Sequence, residues 1–167
     1  MSHQDSEEET RHAFLCHLWR SLMNLDTALR INAAAMSAAR TRVNVASSNL
    51  ANAETTRTDE GGPFRRRMVI QKAEVLKDEA GHPIGRHEGM SIREPIATGI
   101  AFDNSPPRLV FDPSHPDANE DGYVSMPNIQ VVEEMVDMIS ASTAYRAAAN
   151  AVMTVKTMAQ RALDLAT

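Results

Sequence analysis

The chain has one cysteine, Cys16, in 167 residues. No disulfide can form within it, and no zinc site built on several cysteines is available. Aromatic residues make up only 4%, too few for the core of a typical sandwich or barrel. No stretch approaches the ~18 uncharged apolar residues of a membrane span; the candidate Val43 to Ala53 has 11. No direct membrane span is therefore expected. Basic side chains number 17 against 22 acidic ones, a net charge of −5. The basic footprint of a nucleic-acid binder is missing, and no nucleic-acid partner is expected. The start, Met1 to Thr10, is acidic and polar, the opposite of a secretory n-region. By ordinary rules such a chain stays in the cytoplasm.

What is present is 43% apolar residues, enough for a packed core in a chain of one-domain length. Glycine and proline are confined to the middle. All seven Gly and all eight Pro lie between Gly61 and Pro127. Gly costs about 1 kcal/mol and Pro about 3 kcal/mol inside a helix, so both flanks read as long helices. Alanine is complementary: 17 of 24 copies lie in 31–53 and 130–167.

The first tract carries a repeat in steps of three and four: Leu22, Leu25, Leu29, Asn32, Met36, Ala39, Val43, Ala46 and Leu50. Such spacing is that of a coiled-coil seam, with Asn32 as its single polar, register-fixing member. Leu22 to Asn52 predicts a rod of roughly 46 Å. The last tract has Asn128 as a candidate N-cap, with Glu133 and Glu134 placed to favour the helix dipole. One seam there runs Met135, Met138, Ser142, Tyr145, Ala149, Val152, Lys156, Ala159, Leu163. A second takes in Val132, Val136 and Ile139, and resumes at Val155, Met158, Ala162 and Ala166. Two apolar faces on one helix require more than one neighbour, and the first helix can cover only one of them. The pattern is that of a chain built to polymerise.

The expected fold is mainly α, with long terminal helices forming a coiled-coil layer and a small inserted β-containing module. The expected divisions are an N-terminal extension 1–20, helical or mobile; a coiled-coil helix and its exit, 21–60; a Gly/Pro-rich β-hairpin module, 61–127; and a C-terminal coiled-coil helix, 128–167. In the extension, Ser6 with Glu9 fits a capping box, and Phe14, Leu15, Leu18 and Trp19 supply one face. In the module, Met68 through Leu76 and Arg108 to Phe111 read as extended runs between turn signals.

Candidate chemistry is sparse. Asp117, Asn119, Asp121 and Gly122 match the start of a calcium loop, but its twelfth position is Asn128 in place of a bidentate Glu. The bland reading is a generic acidic turn. Arg65, Arg66 and Arg67 could take a phosphate, yet on an extended segment they point to alternate faces, which favours a solvated or subunit-pairing loop. The six His include no i,i+4 pair, and no P-loop or G-x-S-x-G pattern occurs. No enzyme, cofactor or resident metal is expected. A calcium-responsive module and a cytosolic coiled-coil adaptor are the rival readings.

The polar cluster Ser47-Ser48-Asn49-Leu50-Ala51-Asn52-Ala53-Glu54-Thr55-Thr56 resembles the signature of the rod and hook axial proteins of the bacterial flagellum. Its flanks, Arg40 to Asn44 and Gly61-Gly62-Pro63-Phe64-Arg65-Arg66, resemble the proximal-rod, FlgC type within that family. So do Asp112 to Asn128 and Val131 to Tyr145. The likeness spans roughly 25–167 and leaves 1–20 aside as an extension foreign to the family. It implies a non-enzymatic rod subunit that polymerises through its terminal helices into the periplasm-spanning drive shaft for motility. It also implies export through the flagellar type III apparatus without a cleaved signal peptide. The implied partners are copies of itself, other rod proteins, the export apparatus and an adaptor at the membrane ring and rod base. The assembly residues expected on this reading are Asn32, Asn49, Asn52, Met135, Met138, Ile139 and Tyr145.

Overall fold

The computed structural model describes residues 4–78, 80–84 and 91–164, with side chains described from residue 25 onward. Two long helices enclose four strands in chain order: α1 (Gln4–Ala51), β1 (Arg67–Val75), β2 (Arg93–Phe102), β3 (Arg108–Phe111), β4 (Tyr123–Met126) and α2 (Val131–Asp164). The helices fall in the tracts without helix breakers, and every strand falls in the Gly/Pro-rich middle. The backbone of 4–20 lies within α1. The expected capping box and the face of Phe14, Leu15, Leu18 and Trp19 lie outside the described side chains.

α1 and α2 pack as an antiparallel pair. Two links fix the direction: Asn49 reaches Glu134, and Arg42 reaches Asp137. Between these helices the buried residues are small: Ala38, Ala39, Val45 and Ala46 on α1, Ala141 and Ala148 on α2. Small side chains let helix axes approach toward the ~8 Å end of the usual range. On α1 two of the nine expected seam positions are buried, and Leu22 lies outside the described side chains. Ala39 and Ala46 are buried, but the stripe widens to Thr27, Ala38, Val45 and Asn49, while Leu25, Leu29, Met36, Val43 and Leu50 are only half-buried.

β1 and β2 form a two-stranded antiparallel ribbon from Arg67↔Phe102 to Val75↔Arg93, with a bulge at Thr98 opposite Ile70 and Gln71. Thr98 donates its hydroxyl back to the Ile70 carbonyl, 3.2 Å away. The ribbon runs back along α1: Arg67 bonds Asn49, and the Lys77 carbonyl accepts from Arg30 at 3.1 Å. Ten strand residues span about 33 Å, close to the ~29 Å that separates Arg30 from Asn49 along the helix. β3 and β4 form a second small hairpin, Arg108↔Met126 to Phe111↔Tyr123. Its turn needs Gly122: φ is +82°, and a Cβ there would sit 3.0 Å from the Phe111 ring and 3.2 Å from Pro113.

α2 begins at Val131, three residues beyond the candidate cap Asn128. Gln130 takes the capping position, its carbonyl accepting from the Glu134 amide at 3.1 Å. The reason is packing. Ile129 is drawn into a small cluster with Ala53 and Phe64, which holds the approach to the helix extended and ties both helix ends to the start of β1.

The chain exposes 12749 Å². A compact monomer of 18.3 kDa exposes roughly 8,100 Å².

Candidate assembly interface

At the junction of α1, β1 and α2 a carboxylate is buried. Glu134 is 2% exposed. Its Oε1 accepts from Arg66 Nε at 2.6 Å, and its Oε2 accepts from Asn49 Nδ2 at 2.9 Å. Asn49, 1% exposed, also clasps the backbone of Arg67: Nδ2 donates to the Arg67 carbonyl at 2.8 Å, and Oδ1 accepts the Arg67 amide at 2.9 Å. One side chain therefore extends the β1 edge onto the helix and completes the coordination of Glu134. The hydrogen bond and charge of Glu134 raise the Arg66 pKa, favouring a guanidinium that is already charged. Around this latch, Arg42 pairs with Asp137 at 2.8 Å in a more exposed setting.

The three consecutive arginines divide as an extended segment requires. Arg66 points inward to Glu134, while Arg65 and Arg67 lie over the Phe102 ring at 5.5 and 5.8 Å. Arg67 also lies 5.3 Å from the Phe64 ring, and Arg65 donates to Asn104. These are stacking contacts that stiffen the ribbon's root, and no phosphate cradle forms from the triplet as a unit.

The acidic turn is occupied by its own chain. Asn119 Oδ1 accepts from the amides of Asp121 at 3.1 Å and Tyr123 at 2.7 Å. Asp117 accepts from the Thr56 hydroxyl at 2.8 Å and lies 4.0 Å from Arg57. Its residues close the β3–β4 hairpin and pin it to the exit of α1. Among the described residues, no three His, Cys, Asp or Glu side chains gather as a metal site.

α2 presents two faces. Glu134, Ala141 and Ala148, spaced by seven, are its buried residues. Val132, Met135, Val136 and Ile139 are 72%, 45%, 61% and 64% exposed. At 100° per residue, this stripe is centred on the order of 180° from the buried one. Met153 continues it, and Met158 and Leu163 are also exposed. The expected second face thus exists, but the seams are redistributed: the face against α1 uses small residues and Glu134, and most large apolar residues point away.

The seven expected assembly residues fall in different settings. Met135, Ile139 and Tyr145 are exposed, and Met138 is half-buried. Asn32 is half-buried and donates to the Ala28 carbonyl of its own helix at 2.7 Å. Asn52 donates to the Ser48 carbonyl at 2.9 Å and accepts from the Thr55 hydroxyl at 3.2 Å, shaping the end of α1. Asn49 has its partners within the chain. Glu134 and Arg66, read from the sequence as a helix-dipole acid and as part of a solvated or subunit-pairing loop, are joined to each other and to Asn49. The signal for Glu134 was its heptad spacing from Ala141 and Ala148, which places it on the buried face.

Two family models match the chain: "Flagella basal body rod protein" over residues 29–57, and "Flagellar basal body rod FlgEFG protein C-terminal" over 120–165. These two segments hold the halves of the latch, Asn49 and Glu134. Flagellar basal-body rod protein FlgC of Borreliella burgdorferi is 37% identical over 156 residues, covering 86% of this chain and 98% of that protein. FlgC of Bacillus subtilis is 35% identical over 147 residues, covering 82% and 95%. FlgC of Yersinia enterocolitica is 36% identical over 145 residues, covering 87% and 98%. The chain belongs to the FlgC family of flagellar basal-body rod proteins and is a structural subunit of the rod.

Proposed function

We propose that this subunit polymerises through its terminal helices into the proximal part of the rod, the shaft that carries torque across the periplasm. The supporting observation is the apolar stripe Val132, Met135, Val136 and Ile139, exposed on the side of α2 opposite α1. Burial of such side chains contributes about 1.5–3 kcal/mol each, so a neighbouring helix on that stripe would be held firmly. Met135, Ile139 and Tyr145 would supply this contact, with Met138 at its edge and Asn32 along the other helix. Asn49 and Asn52 would act by fixing the angle at which α1, β1 and α2 meet.

In this reading 21–60 and 128–167 form the inner coiled-coil layer and 61–127 the outer part. The subunit docks on copies of itself, on other rod proteins and on an adaptor at the membrane ring. A helical shaft uses heterologous contacts, so the exposed stripe meets a different surface of its neighbour. The subunit reaches the periplasm through the flagellar type III export apparatus without a cleaved signal peptide, and performs no catalysis.

The test is electron microscopy of basal bodies from a strain lacking this gene, beside its complemented parent. Loss of rod and hook with the membrane ring retained is the expected result. Complete rods and hooks in the deletion strain would overturn the reading in favour of the cytosolic adaptor.

A further inference from the structure

We infer that the apolar stripe of α2 on one subunit docks on the outward face of the β1–β2 ribbon root of a second copy of this chain. The inference rests on the rod reading above and names the surface of the neighbour that the stripe meets. Both halves of the contact are carried by one chain, so a head-to-tail array of copies closes it with no further component.

The receiving face is set by strand register. Arg67 pairs with Phe102 and Val69 with Ile100, and directly opposed residues share one face of an antiparallel ribbon. Ile100 and Phe102 are 50% and 49% exposed. Arg65, two residues before Arg67, falls on the same side, its guanidinium 5.5 Å from the centre of the Phe102 ring. Arg66 turns the other way, to Glu134. The face therefore looks away from the latch and presents an aromatic and a branched side chain flanked by two cations. Aromatic residues and arginine are the side chains enriched at the centre of protein interfaces. Asp59 and Glu60 line the hollow beside this face. Among the described residues neither forms an ion pair with Arg65 or Arg67, which leaves both cations to a partner.

The stripe is its complement in charge. Val131 to Tyr145 carries three acidic side chains, Glu133, Glu134 and Asp137, and no basic one. Glu134 and Asp137 have cations within the chain, Arg66 and Arg42. Glu133 is exposed and forms no ion pair among the described residues. It stands about 60° round the helix from Val136, at the edge of the stripe.

The two surfaces also match in length. Val132 to Ile139 covers about 11 Å of helix, and Arg65 to Val69 about 13 Å of extended chain. Each is exposed in the single chain, so neither covers the other there. Docked with the start of α2 over the ribbon root of the next copy, Val132, Val136 and Ile139 cover Ile100 and Phe102, and Glu133 meets Arg65 and Arg67.

The experiment is disulfide trapping in basal bodies from cells expressing two differently tagged forms of the subunit, Ile139→Cys and Ile100→Cys, both carrying Cys16→Ser. Mild oxidation should give a mixed dimer with one of each form, and no dimer when either form is expressed alone. Both forms incorporated without a mixed dimer would overturn the inference and leave the stripe to another rod protein. Absence of the unsubstituted parent from basal bodies would instead overturn the rod reading itself. Charge exchange decides the same point without new thiols. Arg65→Glu and Glu133→Arg should each reduce swarm diameter at least about twofold, and the double variant should return it to within about 20% of the parent. Arg65 and Glu133 form no ion pair within the chain, so such rescue reads a contact between copies. A double variant no better than the worse single one would overturn the inference.

Discussion

The two faces of α2 make the molecule's plainest contrast. One is lined by Ala141, Ala148 and the buried Glu134; the other by Val132, Met135, Val136 and Ile139, all exposed. A monomer would do the reverse, burying its large apolar side chains and leaving small ones outside. The inner face instead relies on close approach and on one charged latch, which sets geometry more than it adds burial. The outer face exposes the larger hydrophobic surface. Orientation is built within the chain; in the proposed reading, adhesion comes from assembly.

The contrast breaks first at the latch. Arg66→Ala leaves the Glu134 carboxylate, 2% exposed, without its cation. Stability should fall by about 3–5 kcal/mol, read as the midpoint of denaturant unfolding. Replacing both together, Arg66→Met with Glu134→Leu, should recover most of that loss, because no unpaired charge remains. Asn49→Ala is next. It orphans the Arg67 amide and carbonyl and removes one donor to Glu134. The expected cost is about 2–3 kcal/mol, with faster amide exchange at Arg67 as the local signature.

The hairpin sharpens the contrast, because it lies away from both faces of α2. Gly122→Ala forces a side chain into a positive-φ position and against Phe111 and Pro113, at roughly 1–2 kcal/mol. Unfolding should shift while the α1–α2 latch stays intact by exchange protection at Arg67.

The smallest effect is on pH. Hydrogen bonds from the Ser105 hydroxyl and amide lower the Asp103 pKa, and those from Ser114 do the same for Asp112. A carboxylate depressed in the folded state stabilises above its unfolded value, near 3.9. That contribution is lost as pH falls from there through the folded value. A carboxyl NMR titration should show both groups titrating low, and Ser105→Ala should move Asp103 alone back toward the ordinary range.

Much of this was legible in the sequence. The absence of Gly and Pro outside 61–127 announced the two helices, and the runs at 68–76 and 108–111 announced β1 and β3. β2 was hidden because Pro95 and Gly99 interrupt it. A two-stranded ribbon tolerates both, since the outer side of each strand has no partner to lose. The inner face of α2 was hidden for a different reason. A search for heptads of large apolar residues finds the outer stripe and passes over Ala141 and Ala148, whose contribution is close approach. Glu134 read as a helix-dipole acid because its partners, Asn49 and Arg66, are 85 and 68 residues away in sequence. Spacing along one helix cannot report a contact made across three elements.

The most direct test of the division between orienting and adhering faces is Ile139→Asp, read in two ways. Ile139 is 64% exposed in the single chain, so the purified monomer should unfold within about 0.5 kcal/mol of the parent. In cells the same charge would sit unpaired in a buried contact, and basal bodies should lack a complete rod with motility abolished. Normal motility in this variant would contradict the account, and a monomer that no longer folds would place Ile139 on the inner face instead.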